Sequence, residues 1–319
     1  MHEEKSHDYL GMIMMHDVKN QSIRIDMKKY ISRCIDEFIN EEPDEVMRPV
    51  NTPAANYLFR IRDVEKFSKL RVGLFHSMVA KLLFVAKRAR ADVLLMVSFL
   101  TTTVKEPDHD DWRKLISLLS YLKHTENLHF NFSGRDIKSL IWYIDGSYAT
   151  HEDMKGQSGA VLLSGYCAVL FRSNKQKFNT RSSTKSELIA VDDALPFIQW
   201  ARNFMLDQGY DLETHVKEDN KSTLLLMKNG KLSSGKRTKH FDIRYYYVKD
   251  LIDRGVIKVS HCVSEDMVAD FFTKPLQGKR FMHMRSIILN DTKLEDSVDT
   301  VTINEHRSML DTEKVHNVQ

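Results

Sequence analysis

The spacing of apolar residues changes close to Gly134 in this chain of 319 residues. For most of the sequence before that point, apolar residues recur every three to four positions, a period typical of amphipathic helices. Beyond it they alternate with polar residues, which predicts strands at about 138–145, 158–164 and 166–172. Consecutive strands with short connections form an antiparallel meander. The second half of the chain is therefore expected to contain a sheet, and the first half mainly helices.

The second half continues with alternating helices and strands. A long helix is predicted at about 184–207. It is followed by a strand, two helices, a strand and a short apolar helix, at about 214–218, 220–229, 238–253, 256–262 and 265–273. A strand, a helix and a further strand in this order form a crossover connection. The pattern predicts a mixed α/β domain.

The first half is predicted to begin with a β-hairpin at about 9–27, in which Ile23 and Ile25 alternate on the second arm. Helices follow at about 28–38, 74–100 and 110–124, the second of them in two parts. The polar segment 286–319 mixes both charges without an apolar period, so we expect it to be poorly ordered. The predicted units are 1–27, 28–132, 133–285 and this tail.

Composition excludes several classes of protein. Hydrophobic residues make up 42% and charged residues 29%, as in a soluble globular protein, and no apolar run is long enough for a membrane helix. The polar and acidic start lacks the features of a secretory signal. Three widely spaced cysteines, Cys34, Cys167 and Cys262, argue against a disulfide framework. We expect an intracellular protein with buried thiols.

Four carboxylates stand in four separate contexts of the second half. Asp145 ends an apolar strand, Glu187 lies near the start of the long helix, Asp219 follows the next strand, and Asp270 lies in the last apolar segment. Residues this far apart meet only if a sheet and helices fold them together. Hard carboxylate oxygens are the ligands that Mg²⁺ and Mn²⁺ prefer. The arrangement predicts a two-metal site for cutting phosphodiesters.

Three of the four carboxylates also have a simple structural interpretation. Glu187 could complete a capping box begun by Thr184. Asp219 could cap the helix that follows it, and Asp145 could form a simple turn with the next residue. Asp270 is flanked by apolar residues and has no capping role. The metal hypothesis is displaced only if a structural interpretation holds for all four residues together.

A basic segment follows Asp219. Residues 221–258 contain ten Lys or Arg and three Asp, whereas the whole chain has a net charge of only +3. Such a run is commonly a solvated helix surface. Beside a carboxylate site it becomes a candidate for phosphate contacts, which are independent of base sequence. The candidate nucleic-acid-binding residues are Lys236, Arg237, Lys239, His240 and Arg244.

Six segments in a fixed order resemble the C-terminal part of copia-type LTR retrotransposon polyproteins. They are HDYLGM at 7–12, LFHSMVAKLLF at 74–84, WRKLISLLSYLKH at 112–124, SSTKSEL at 182–188, RTKHFDIRY at 237–245 and ADFFTKPL at 269–276. Each segment alone is a weak signal, but six in the family order are a strong one. The resemblance covers about residues 7–285.

The resemblance implies a ribonuclease H-like domain, a mixed five-stranded sheet with helices, preceded by a primer-grip-like hairpin left from a reverse transcriptase palm and by a helical thumb. It implies cleavage of the RNA strand of RNA–DNA hybrids with two Mg²⁺ or Mn²⁺. Asp145 would bridge both ions, Glu187 and Asp219 would hold the ion near the leaving group, and Asp270 would hold the ion that activates water. Glu187 would also lie near a 2′-hydroxyl.

Some features depart from the family pattern. The polymerase site, with its Tyr/Phe-x-Asp-Asp hairpin, would lie upstream of Tyr9, so we expect no polymerase activity from this chain alone and a palm-bearing reverse transcriptase chain as a partner. Pro196 should kink or restart the long helix. The loop before Asp270 lacks a histidine that assists product release, and His261 lies too early to replace it. Slow turnover is expected.

Two other functions stay open at this point. The chain could be a non-catalytic remnant that binds nucleic acid or a partner, or a nuclease of the integrase or resolvase type on the same fold. Hybrid cleavage that is lost in Asp145→Asn would favour ribonuclease H, and cutting of duplex DNA would favour the last. The resemblance to copia-type retrotransposons, and their life cycle, imply a location in the cytoplasm, within a virus-like particle, and in the nucleus.

Overall fold

The computed structural model describes residues 5–60, 69–134, 137–165, 167–229 and 242–291. The first half contains a four-stranded antiparallel sheet, in the order β1 (Lys5–Tyr9), β2 (Met12–Asp17), β3 (Ser22–Asp26) and β4 (Phe130–Ser133). The predicted hairpin is therefore part of a larger sheet. Leu10 and Gly11 have φ angles of 54° and 78°, which close a tight turn between β1 and β2 within the predicted first arm.

Helices fill the region between β3 and β4. They are α1 (Lys28–Glu41), α2 (Lys69–Ala86), α3 (Leu94–Thr101) and α4 (His109–His124), close to the predicted positions. Asp108 begins α4 by accepting hydrogen bonds from the N–H groups of Asp110 and Asp111, both at 2.8 Å. None of the helices in the described ranges is long and apolar enough to cross a membrane.

The second half contains a mixed five-stranded sheet, which confirms the predicted α/β fold class. Its strands are β5 (Ser139–Ser147), β6 (Lys155–Ser164), β7 (Cys167–Asn179), β8 (Glu213–Glu218) and β9 (Lys258–His261), in the order β7-β6-β5-β8-β9. The first three are antiparallel neighbours, whereas β8 and β9 run parallel to β5. The helices are α5 (Ser183–Asp207), α6 (Lys221–Asn229), α7 (Asp242–Asp253) and α8 (Gly278–Leu289).

Three details differ from the sequence predictions. Pro196 lies inside α5 without restarting it. The short helix expected at 265–273 is instead two 3₁₀ helices, Ser264–Asp266 and Val268–Phe272. The proline at 275 disfavours the α conformation of the residue before it. A helix that begins at Val268 therefore has to end within two turns, a length at which 3₁₀ helices are common. The tail predicted to be poorly ordered began at residue 286, but helix α8 continues to Leu289, so the prediction is wrong for residues 286–289. Residues 292–319 of that tail lie outside the described residues.

Two hydrophobic clusters cover the two faces of the five-stranded sheet. On one face, Leu140, Trp142 and Ile144 of β5 pack with α5, α6 and α7. On the other face, Tyr143 belongs to a cluster that also includes the helices of the first half, the Val268–Phe272 segment and α8. Successive side chains of β5 point to opposite faces of the sheet and so belong to the two clusters in turn. The first half and one face of the sheet share a single core.

A fully buried ion pair links α8 to the first half. Arg90 and Asp92 are 2.8 Å apart, and neither side chain is exposed to solvent. The Tyr121 hydroxyl donates to Oδ2 of Asp92 at 2.8 Å and accepts from Nη1 of Arg285 on α8 at 2.9 Å. All three cysteines are buried free thiols, as expected from their spacing.

Candidate metal centre

Asp145 lies near the end of the central strand β5 and is only 1% exposed. The strand continues through Gly146 to Ser147, so the alternative that Asp145 forms a simple turn is wrong. The Thr273 hydroxyl donates a hydrogen bond to Oδ2 of Asp145. One carboxylate oxygen of Asp145 is therefore held from the segment that follows the second 3₁₀ helix.

Glu187 lies one turn into α5. The N-cap of this helix is Ser182, whose Oγ accepts from the N–H of Lys185, so the capping-box alternative for Glu187 is wrong. Oε2 of Glu187 instead accepts a 2.6 Å hydrogen bond from the N–H of Gly146. Next to it, Oγ of Ser186 donates to the carbonyl oxygen of Ser147 at 2.7 Å. These two contacts fix the start of α5 against β5.

Asp219 follows β8 directly. The helix α6 is capped by Asn220, whose Oδ1 accepts from the N–H groups of Ser222 and Thr223 at 3.0 and 3.1 Å, so the N-cap alternative for Asp219 is wrong. Oδ2 of Asp219 accepts from Oγ of Ser264 at 3.0 Å. Because α6 is capped by its neighbour, the Asp219 carboxylate is left to face the centre.

The side chains of Asp145, Glu187 and Asp219 meet at one point. Each offers a carboxylate oxygen, and the three oxygens lie within 4.8 Å of one another. The parallel pairing of β5 with β8, in which Tyr143 is opposite Lys217, brings the ends of the two strands side by side. Three hard oxygen ligands this close fit a divalent ion of the Mg²⁺ or Mn²⁺ type.

Asp270, the fourth predicted ligand, does not join this group of three. It is 2% exposed, and both of its oxygens are bound by cations of the protein. Oδ1 is 2.5 Å from Nζ of Lys274, and Oδ2 is 2.6 Å from Nη2 of Arg280. The same Lys274 ammonium is 3.4 Å from Oδ1 of Asp145. Lys274 therefore bridges Asp270 and Asp145.

Burial and mutual repulsion dominate the electrostatics of the centre. Burial raises the pKa of Asp145 although Lys274 opposes it, and burial together with the charge of Asp145 raises the pKa of Glu187 well above its ordinary value. The pKa of Asp270 is raised to about 6, again mainly by burial and by Asp145. For Lys274 burial lowers the pKa, but the attraction of Asp145 and Asp270 outweighs it and raises the pKa overall. The carboxylates thus favour a bound cation.

Three residues that shape the centre were not predicted from the sequence: Thr273, Lys274 and Arg280. The first two stand in the family segment that contains Asp270, so the segment was recognised but their contacts were not. Arg280 on α8 carried no sequence signal. A further cause of close packing is Gly159 on β6, where a Cβ would lie 2.7 Å from Thr273 Cγ2 and 2.9 Å from the Ala269 carbonyl oxygen.

The predicted nucleic-acid contacts fall mostly outside the part of the chain that the structure describes. Lys236, Arg237, Lys239 and His240 belong to the segment 230–241, which is not described. Arg244 lies in α7, but its side chain is not among those described. The binding surface therefore stays a prediction.

The chain is similar to polyproteins of copia-type retrotransposons over most of its length, which confirms the resemblance inferred from the sequence. The Pol polyprotein of transposon TNT 1-94 from Nicotiana tabacum is 25% identical over 286 residues, 88% of this chain and 21% of the relative. That of transposon RE2 from Arabidopsis thaliana is 27% identical over 212 residues, 66% and 14%. The Ty1-DR6 Gag-Pol polyprotein of Saccharomyces cerevisiae is 21% identical over 290 residues, 88% and 16%. The chain thus spans about a fifth or less of these relatives.

Solved structures give more distant likenesses. LC11-RNase H1, isolated from compost, has a TM-score of 0.35 and 17% identity over 43% of this chain and 93% of that one. The foamy viral protease-reverse transcriptase in complex with dsDNA has a TM-score of 0.40 and 11% identity over 81% of this chain and 45% of that one. No protein-family model matches the chain. The fold assignment rests on the strand order described above.

Proposed function

We propose that the chain is a divalent-metal-dependent ribonuclease of the ribonuclease H type, which cuts the RNA strand of RNA–DNA hybrids. The observation that carries the proposal is the meeting of carboxylate oxygens from Asp145, Glu187 and Asp219 within 4.8 Å, two of them on buried side chains. The similarity to copia-type polyproteins supports the same class of activity. The structural alternatives for these three residues have each failed.

The three side chains fit an ion such as Mg²⁺ or Mn²⁺. All the donors are hard oxygens, and like charges packed this closely within the fold need a cation to balance them. When bound, divalent ions activate a water on one side of a phosphodiester and stabilise the leaving oxygen on the other. Asp145, Glu187 and Asp219 are the residues that would hold the ion.

The other residues of the centre orient these ligands. The Gly146 N–H holds one oxygen of Glu187, and the Thr273 hydroxyl holds one oxygen of Asp145. Ser264 does the same for Asp219. Hydrogen bonds of this kind fix ligand orientation, and their loss commonly lowers metal affinity by about 10- to 100-fold.

Asp270 enters the proposal in a different way. Its Oδ1 is occupied by the Lys274 ammonium, which also faces Asp145. A second ion beside Asp270 would therefore have to displace Lys274 from this position. We propose that Lys274 holds a positive charge between the two carboxylates while no ion is bound there.

The proposed substrate is an RNA–DNA hybrid, held by the basic segment that includes Lys236, Arg237 and Lys239. Each phosphate that such a residue neutralises should contribute about 0.7–0.9 to the slope of log K against log salt. The triple change to Gln is expected to weaken hybrid binding and to lower this slope by about 2–3. Equal salt dependence in both proteins would contradict this surface.

Cleavage of a labelled hybrid tests the activity. Purified protein with Mg²⁺ or Mn²⁺ should cut the RNA strand, and Asp145→Asn should abolish cutting while leaving the protein folded. Asp253→Asn, at an exposed position of α7 where Asp253 pairs with Lys249, is the matched control and should cut normally. Duplex DNA and single-stranded RNA are tested beside the hybrid, and cutting of duplex DNA would point to another nuclease class.

A non-catalytic, nucleic-acid-binding remnant is the second candidate. The neutralisation of both Asp270 oxygens by Lys274 and Arg280 favours it. Tight binding of the hybrid without cleavage in either metal would support this candidate and overturn the first. If cleavage occurs, we expect multiple turnover to be slower than single turnover, because the expected product-release histidine is missing from the loop before Asp270.

A further inference from the structure

Glu218 is the last residue of β8 and immediately precedes Asp219. Its side chain is completely buried, with an exposed fraction of 0%. Oε1 accepts a hydrogen bond from the N–H of Asn220 at 3.0 Å. Oε2 is also buried and accepts no hydrogen bond from any residue that the structure describes. A buried carboxylate oxygen without a partner is rare and costly in a folded protein.

The surroundings of Glu218 are those of the metal centre. Asp219, Asp145 and Lys274 are among the charged groups that act on it. Glu218 in turn acts on Glu187, where its repulsion is exceeded only by that of Asp145 among the neighbouring charges. Glu218 therefore adds a buried acidic group to the cluster formed by the other three carboxylates, although its oxygens do not belong to the group that meets within 4.8 Å.

A structural role accounts for only one of the two carboxylate oxygens of Glu218. The contact from Oε1 to the Asn220 N–H supports the turn between β8 and α6, and a neutral glutamine could make the same contact. It does not explain an acidic group at a fully buried position among other acids. A bound cation would supply both the missing partner for Oε2 and the missing positive charge.

We propose that Glu218 is an additional carboxylate of the metal centre, whose Oε2 binds the ion held by Asp145, Glu187 and Asp219, directly or through an ion-bound water. This inference rests on the proposed function, because it requires that the centre binds a divalent ion. It goes beyond the set predicted from the sequence, in which Asp219 alone represented this end of β8.

Binding of Mn²⁺ alone tests the proposal, measured by isothermal titration calorimetry and by the electron paramagnetic resonance signal of free Mn²⁺. Glu218→Gln keeps the shape of the side chain and the acceptor for the Asn220 N–H but removes the charge. It should weaken Mn²⁺ binding by about tenfold or more. The matched control is Glu213→Gln on the same strand, because Glu213 is exposed and pairs with Lys258 at the surface. The control should bind Mn²⁺ as the unchanged protein does.

Thermal unfolding adds a measurement that distinguishes a metal ligand from a turn-supporting residue. Without metal, and at a pH at which Glu218 is ionised, Glu218→Gln should unfold at a higher temperature than the unchanged protein, since an unpaired buried charge has been removed. With saturating Mn²⁺, the increase in unfolding temperature should be smaller in the variant than in the unchanged protein. If Glu218 only supports the turn, the variant should be no more stable without metal and should gain as much from Mn²⁺.

Glu218→Asp is the second variant, for the case that Glu218→Gln does not fold. It keeps the charge but withdraws the carboxylate by one methylene, and weaker Mn²⁺ binding is again expected. If the unchanged protein binds Mn²⁺ and cuts hybrid while Glu218→Gln and Glu218→Asp bind Mn²⁺ equally well, the role of Glu218 is overturned and the proposed function stands. If the unchanged protein neither binds Mn²⁺ nor cuts hybrid, both are overturned.

Discussion

The backbone N–H of Gly146 donates a 2.6 Å hydrogen bond to Oε2 of Glu187, and this contact connects the central strand β5 to helix α5. It is possible only because residue 146 has no side chain. A Cβ at this position would lie 2.5 Å from the Ser186 carbonyl oxygen and 2.9 Å from Cα of Glu187. The distance between β5 and α5, and with it the position of Glu187 relative to Asp145, depends on this glycine.

Gly146→Ala should therefore displace the start of α5. The backbone atoms of Ser186 and Glu187 cannot move aside without shifting the helix, so we expect a loss of about 1–3 kcal/mol in the free energy of unfolding. A ligand displacement of about 1 Å should lower hybrid cleavage by about 100-fold. Denaturant unfolding and single-turnover cleavage measure the two effects.

Gly73→Ala is the matched control. Gly73 lies in α2, and an added Cβ there meets no atom within 4 Å. Alanine at an exposed helical position should stabilise the protein by about 0.5–1 kcal/mol and leave cleavage unchanged. If Gly146→Ala behaves like this control, the close packing of β5 on α5 does not determine the geometry of the centre.

Lys274→Gln removes the cation that bridges Asp145 and Asp270. Without it two carboxylates with raised pKa values face each other, so we expect the metal-free protein to lose about 1–3 kcal/mol of stability, a range reduced because Lys274 is 44% exposed. Added Mn²⁺ should recover part of this loss by supplying the positive charge. Thermal unfolding with and without Mn²⁺ is the measurement.

A surface lysine provides the comparison for this change. Lys258→Gln breaks the exposed pair with Glu213 and should cost less than about 1 kcal/mol, with no added response to Mn²⁺. Equal losses in the two variants, both insensitive to Mn²⁺, would show that Lys274 does not compensate the charge of the centre.

The affinity of the centre for Mn²⁺ should rise with pH. Burial raises the pKa of Asp145 and of Glu187, so in the metal-free protein these groups hold protons at low pH that the ion must displace. Each displaced proton weakens binding by up to about tenfold per pH unit below the pKa of its group. We expect stronger binding at pH 8 than at pH 5.5 and release of protons on binding.

Titration calorimetry at one pH in two buffers of different ionisation enthalpy counts the released protons. A difference in the apparent enthalpy between the buffers is the expected result. Affinity that does not change from pH 5.5 to pH 8, together with no proton release, would contradict the assignment of protonated carboxylates to the metal-free centre.

Arg90→Met should be strongly destabilising, because it leaves the Asp92 carboxylate buried without its cation. The expected cost is about 3–5 kcal/mol in the free energy of unfolding. The double variant Arg90→Met with Asp92→Asn removes both charges and should lose less than the single variant. Denaturant unfolding of the two variants measures this coupling directly.

An exposed pair again provides the comparison. Arg254→Met on the surface of the second half loses an exposed pair with Asp250 and should change stability by less than about 1 kcal/mol. A single Arg90→Met variant that is no less stable than this control would show that the buried pair is not a stabilising link between α8 and the first half.

The order of helices and strands could be predicted from the sequence because it depends on local periods of apolar residues. The positions of α1, α4 and α5 and the strands β5 to β8 all followed from such patterns. The segment 264–272 could not be predicted in the same way. Its apolar residues suit a helix, but the packing of its backbone against Gly159 and the proline at 275 restrict it to 3₁₀ turns.

The site residues likewise include some that local patterns predicted and some that they did not. Asp145, Glu187 and Asp219 were found because each stands at a recognisable point of a strand or helix, and parallel pairing of β5 with β8 brings two of them together. The contact of Asp270 with Arg280 could not be predicted, since Arg280 lies on α8, a helix that the sequence patterns did not predict. The buried position of Glu218 was equally hidden, because a glutamate next to Asp219 has the same sequence appearance whether it faces solvent or the core.

The sequence by itself determined the fold class and the three carboxylates that meet at the candidate metal centre, because these depend on short-range patterns and on the rule that adjacent parallel strands end at the same edge of a sheet. Only the tertiary structure decided which charges compensate which. Lys274 and Asp145 are 129 positions apart in the chain yet share one ion pair, and no local pattern records such a contact. The balance of charge in the centre is a property of side chains brought together by the whole fold.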